Sequence, residues 1–159
     1  MRAGIVIVCA VASGCAYKAG SFSHSQTYFA GQRASVGCLD LAVERRPDLP
    51  EGGTVLGYSV GNRCDRAATI DLRAVRVEGR TFDGQSAVLI PFDPRGEIRP
   101  LLLDGKRAGT EALAYHAEAP LAEVCVDVAS LARSGAPQWM CFASRFAPPA
   151  REAVAEVAP

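Results

Sequence analysis

The sequence predicts an all-β fold, an antiparallel β-sandwich. Three observations predict it. Apolar and polar residues alternate in several short runs, such as Leu39-Asp40-Leu41-Ala42-Val43 and Val124-Cys125-Val126-Asp127-Val128. That period of two puts one set of side chains in a core and the other in water. Turn signals separate the runs. No stretch carries the 3.6-residue periodicity of a helix of three turns or more, and no internal repeat is evident.

The strands follow in order. Leu39, Leu41 and Val43 define the first, with one buried and one wet face. Pro50-Glu51-Gly52-Gly53 is a turn, and Leu56, Tyr58 and Val60 resume the alternation. Ile70 and Leu72 continue it. Val75 and Val77 are out of phase with them, which predicts a bulge near Arg73-Ala74. Asp83-Gly84 turns the chain into the apolar run Ala87 to Ile90. Asp93-Pro94-Arg95-Gly96 turns it again, before Ile98 to Leu103, and Asp104-Gly105-Lys106 once more. Leu113 and Tyr115 mark a strand, then Val124 to Val128, then a single helical turn within Ala129 to Ser134. Trp139 to Phe142 closes the set, with Trp139 expected in the core. Many short strands with turns between them give a sandwich that is Ig-like in character, over residues 34–146.

Six cysteines are present. Cys38, Cys64, Cys125 and Cys141 fall in the β region and allow three pairings. The midpoint of 38 and 64 is Glu51, inside the Pro50–Gly53 turn. The midpoint of 125 and 141 is Arg133, also in a turn. Each pair flanks a turn almost symmetrically, where antiparallel neighbours come within disulfide reach. The expected bridges are therefore Cys38–Cys64 and Cys125–Cys141. Each would staple strand ends on an outer face, and 38–141 with 64–125 is the alternative. No CxxC-type spacing points to zinc.

The remaining two cysteines lie near the N-terminus. Arg2 precedes the unbroken apolar run Ile5 to Ala12, and Ala12-Ser13-Gly14-Cys15 follows. This is the order of a secretory signal, and the run is far too short to span a bilayer. Ala12-Ser13-Gly14-Cys15 resembles the lipobox of bacterial lipoproteins. The resemblance covers residues 1–15 only. It implies removal of residues 1–14, Cys9 among them, and a diacylglyceryl thioether and acyl chains such as palmitate on Cys15. Ala16, where an Asp would favour retention in the inner membrane, implies the outer membrane. The family has Leu where this chain has Ala12, and Ala-Ser-Gly also suits ordinary signal cleavage. A soluble periplasmic or secreted product is the alternative, and a plain buried strand the third. Residues 15–33, rich in Ser, Gly and Ala, are expected as a flexible tether, with Tyr28 and Phe29 against the domain edge. Residues 147–159 are expected as a Pro/Ala-rich tail, with a short helix over 150–157.

Lys+Arg and Asp+Glu both number 17, so the chain is formally neutral and gives no electrostatic case for nucleic acid. There is no P-loop or G-x-G-x-x-G. The two histidines, His24 and His116, have no placeable nucleophile beside them. No cofactor or metal is implied. The loop Asn62-Arg63-Cys64-Asp65-Arg66, held by a cysteine, is a candidate recognition loop through Asn62, Arg63, Asp65 and Arg66. The expected class is a lipid-anchored, non-enzymatic envelope module for binding, adhesion or assembly. Its partners would be the membrane through its lipid and another envelope protein or surface polymer. The alternative is a small-ligand carrier or an enzyme with a pocket at one end of the sandwich, where Asp40 with Glu44, or Asp71 with Asp127, would pair carboxylates.

Overall fold

The computed structural model describes residues 16–50, 52–93, 98–132 and 135–145. Within them the chain forms β1 (Gln32–Val36), β2 (Leu39–Arg45), β3 (Thr54–Asn62), β4 (Ala68–Ile70), β5 (Arg76–Thr81), β6 (Ser86–Leu89), β7 (Pro91–Phe92), β8 (Leu101–Leu103), β9 (Ala108–Tyr115), β10 (Leu121–Asp127) and β11 (Trp139–Ala143). One sheet has the order β1-β2-β3-β9-β7 and the second β11-β10-β5-β6, while β4 and β8 form a separate ribbon. Every pairing is antiparallel.

The alternation read from the sequence generates the core. Leu41, Val43, Leu56, Tyr58 and Val60 face inward from the first sheet, and Val77, Leu89, Val124, Val126 and Met140 from the second, in one continuous cluster. Tyr58 and Tyr115 are buried within it and satisfy each other through their hydroxyls at 2.7 Å. Arg45 ties the sheets together. Its guanidinium is paired with Asp48 and donates to the carbonyls of Leu121 and Phe142.

Four expectations need correction. The phase break near Arg73-Ala74 is not a bulge. Leu72–Ala74 is a 3-10 turn that carries the chain from β4 to β5, in a different sheet, and Asp71 caps it by accepting from the Arg73 N–H. Trp139 is not a core residue, because it lies half-exposed with Arg76 5.5 Å over its ring. The expected wet face of β2 is mostly covered, since Asp40 and Ala42 are as buried as Leu41 and Val43 and Glu44 alone of the three stays partly exposed.

The last two corrections share a cause. The segment expected as a tether is laid across the outer face of β2 and β3. Tyr17 and Phe29 stack at 5.5 Å and bury themselves against Ala42. Of the aromatic pair, Phe29 packs and Tyr28 is exposed, although the Tyr28 carbonyl accepts from the Ser59 hydroxyl. Glycines make the close approach possible. A Cβ on Gly61 would stand 2.2 Å from the Tyr17 ring, and one on Gly31, at φ +88°, 1.9 Å from the Val43 carbonyl oxygen. The strap then turns into β1, which the sequence reading also missed. Residues 1–15, the signal and its Cys15, and the expected tail 147–159 lie outside the described residues.

The strand directions define two ends. One holds the β1–β2 turn, the C-terminus of β3 and the β8–β9 turn. The other holds the loops 46–53 and 116–120 and the β5–β6 turn.

Candidate functional site

The first end is built around two buried polar side chains. Asp40 is 0% exposed at the start of β2. It accepts from the Tyr17 hydroxyl, the Gly20 N–H and the Ser35 hydroxyl, and the Arg63 guanidinium lies 3.7 Å away. Burial alone would raise its pKa. The donors Ser35, Gly20 and Tyr17 and the charge of Arg63 outweigh that and hold the carboxyl below its usual 3.8. Asn62 is also 0% exposed. Its amide donates to the carbonyls of Arg66, Leu103 and Asp104 and accepts from the Cys64 N–H. It is therefore the frame of the 62–66 loop and not part of its recognition surface, which corrects the sequence reading.

The other loop residues divide. Arg63 is half-buried beside Asp40, and Asp65 and Arg66 are exposed. Lys106 joins the loop from the β8–β9 turn. Its ammonium donates to the Arg63 carbonyl and lies 3.6 Å from Asp65. The Lys106 carbonyl in turn accepts from the Tyr17 N–H at 2.6 Å. The strap thus begins on this end, fixed to the same turn that supports the loop.

Both expected disulfides form. Cys38–Cys64 closes this end, and Cys125–Cys141 joins directly opposed residues of β10 and β11. Each bridge lies between neighbouring strands of one sheet and neither crosses the core. Glu123 sits beside the second bridge with its oxygen within 4.8 Å of both sulfurs. Oxidised sulfurs carry no thiolate, so this trio is not a metal site in the bridged protein.

The second end carries a groove of about 550 Å³. Its walls are Val88, Leu89 and Ile90 on one side and the loop His116 to Ala119 on the other, with Leu121 and Gly79 beneath. Among its lining residues only His116 and Glu118 ionise. Val88 is 62% and Ile90 76% exposed. β6 pairs with β5 alone, so its outer edge is open among the described residues. In an antiparallel ladder alternate residues direct their N–H and C=O groups away from the partner strand. Gln85 to Ile90 contains no charge, no proline and no bulge, the usual protections of such an edge. The opposite flank of the sandwich is closed. There Gln32 Nε2 donates to the Cys141 carbonyl and Arg45 to that of Phe142.

The carboxylate pairs expected of an enzyme are not assembled. Asp40 is held by the strap, and Glu44 pairs with Arg46. Asp71 pairs with Arg73, while Asp127 accepts from the Ala129 and Gln138 N–H groups. His116 meets Phe92 edge-on at 6.4 Å, and Ser130 is occupied at the other end, bonded to the Asp127 carbonyl and the Arg76 N–H. His24 lies in the strap, where its Nδ1 accepts from the Gln26 N–H.

Three tyrosines make the fold sensitive to alkali. Burial, the bond to Asp40 and the charge of that carboxylate push Tyr17 up to about 12. Burial also pushes Tyr115 up to about 12, and it drives Tyr58 well above its usual range, helped by Tyr115. A raised acid stabilises the fold fully below its unfolded value near 10 and loses that contribution as the pH climbs through the folded value. We expect the Tm to be level to about pH 10 and to fall steeply towards about pH 12. Tyr17→Phe should fall less steeply. A flat Tm across that range by circular dichroism would contradict the burial argument.

These features define a class: an antiparallel β-sandwich stapled by two disulfides within its sheets. Such bridges form and persist in oxidising compartments outside the cytoplasm. No helix among the described residues is long and apolar enough to cross a membrane. No family model and no curated protein matches the chain. Among solved structures it is similar to the yjhA protein from Bacillus subtilis, at 13% identity and a TM-score of 0.43, covering 61% of this chain and 78% of that one.

Proposed function

We propose that the protein is a lipid-anchored module of the bacterial cell envelope, carried by Cys15 in the outer membrane, which binds another envelope protein without catalysing a reaction. The observation that carries this reading is the open, uncharged β6 edge beside an apolar groove, at the end opposite the start of the strap. A free edge offers main-chain hydrogen bonds to an extended segment, and the groove offers apolar contacts to its alternate side chains. That combination suits a polypeptide better than a surface polysaccharide, which would want polar and aromatic walls. The lipobox-like residues and the two disulfides supply the address.

A second reading rests on the groove's volume. About 550 Å³ falls within the range of small-ligand sites. With His116 at its rim, a periplasmic or secreted carrier of an apolar molecule, or an enzyme acting on one, is the rival.

Two measurements test the proposal. Cys15→Ser is expected to abolish metabolic lipid labelling and membrane retention, and unchanged labelling would contradict the anchor. Photocrosslinking in intact envelopes from a probe at position 88 should trap a protein, and Ile90→Asp should remove that adduct. A small molecule recovered from the purified native protein, with no protein adduct, would move the assignment to the carrier.

A further inference from the structure

The chain has two lysines, Lys18 and Lys106, and the fold brings both to the strap end. Tyr17 is 2% exposed and fixed at both its N–H and its hydroxyl, by the Lys106 carbonyl and by Asp40. Cys15 is two residues earlier. Two extended residues span at most about 7 Å. An anchor at Cys15 therefore leaves the domain almost no tether, and whichever end holds Tyr17 meets the bilayer surface. That end carries Lys18, Arg63, Arg66, Lys106 and Arg107. Against them stand Asp40 and Asp127, which are buried, and Asp65 and Asp104 at the surface. Nearby Asp71 and Arg73 neutralise each other. The excess is positive on a chain whose total is zero.

We propose that this basic end is a docking face for anionic phospholipid headgroups, which holds the domain upright on its membrane with the β6 groove pointing away. The proposal rests on the lipid anchor at Cys15. Lys18, Arg66 and Arg107 are the exposed cations that reach headgroup phosphates, and Arg63 and Lys106 are positioned behind them. Each Lys or Arg near an anionic surface adds attraction that salt screens. The anchor supplies proximity, and the charges select one orientation from those a short tether allows.

The test uses the mature protein purified from envelopes and inserted into preformed vesicles of neutral phosphatidylcholine, or of the same lipid mixed with phosphatidylglycerol. A water-soluble amine-acetylating reagent then reads the two lysines by mass spectrometry. Phenylglyoxal labelling of Arg46, at the far end, serves as reference. Acetylation of Lys18 is expected to slow in anionic vesicles relative to neutral ones and to recover in about 1 M salt, where the Debye length is about 3 Å. Arg66→Glu should lose most of that protection. Equal rates in both lipids, or slowing in both alike, would overturn the docking face and leave the anchor standing. An intact mass with no acyl chains on Cys15 would overturn the anchor itself, and the docking face with it.

Discussion

Asp40→Ala is expected to release the strap and lower stability by about 3 kcal/mol, because it removes a buried charge on which several donors converge. In a domain of this size that corresponds to a fall in Tm of about 10 °C. Three donors lose their acceptor at once: the Tyr17 hydroxyl, the Gly20 N–H and the Ser35 hydroxyl. The least costly response is for the strap to leave the sheet, so that the donors reach water. Ala42 and the Gly61 face of β3 would then be exposed. Chymotrypsin should cut after Phe22 and Phe29 in the variant and spare Phe29 in the wild type, where its side chain is buried. Asp40→Asn separates charge from shape. It keeps one acceptor oxygen and loses the titration. The wild-type carboxyl has a depressed pKa, so its contribution is complete above the unfolded value near 3.8 and is lost as the pH falls through the folded one. The wild type should therefore lose stability below about pH 4 more steeply than Asp40→Asn. Identical acid limbs would place the stabilisation elsewhere.

This hub shows where the sequence was legible and where it was not. The inward faces of β2, β3 and β10 were readable because alternation is a local property, fixed by the pleat and independent of what lies across the core. The disulfides were readable because each pair is symmetric about one turn. The strap was not readable. Its anchors are single side chains separated by polar and small residues, and the partner that makes them bury, Asp40, looks like an ordinary wet-face residue of a strand. What could have hinted at it is β2 itself, where Ala42 on the supposed solvent side is small and uncharged. β1 was missed because its buried positions, Ala34 and Val36, are too few and too small to stand out. Asn62 was read as a surface residue from its charged neighbours. Its role depends on carbonyls contributed by residues 66, 103 and 104, and two of those lie 41 and 42 positions away. The groove is likewise a product of topology. Ala87 to Ile90 was legible only as an apolar run, and the pairing that turns Leu89 inward beside Val77 leaves Val88 and Ile90 in solvent.

The second large effect is expected from the paired change Cys38→Ala with Cys64→Ala. The bridge joins the residue before β2 to the second residue after β3, so the whole hairpin lies within its 26-residue separation. Loop-closure entropy alone gives about 3.5 kcal/mol for such a loop, against about 3 kcal/mol for the 16-residue separation of Cys125 and Cys141. Local structure widens that gap. Cys125 and Cys141 face each other in mid-ladder, with paired residues on both sides, so the strands hold their register without the bond. Cys38 and Cys64 lie beyond the β2–β3 ladder, where the Arg63 N–H to Cys38 carbonyl bond is the last rung. Cutting the bridge frees the 62–66 loop, then the Lys106 turn that leans on the Cys64 carbonyl, then the Tyr17 N–H that Lys106 holds. Urea titration should show a lower midpoint with a nearly unchanged slope, and a larger shift than Cys125→Ala with Cys141→Ala. Lys18 and Lys106 should also acetylate faster in the first variant and not in the second. A greater loss from the mid-ladder bridge would mean that the strap end is held by its hydrogen bonds alone, and that the disulfide beside the 62–66 loop contributes only chain entropy.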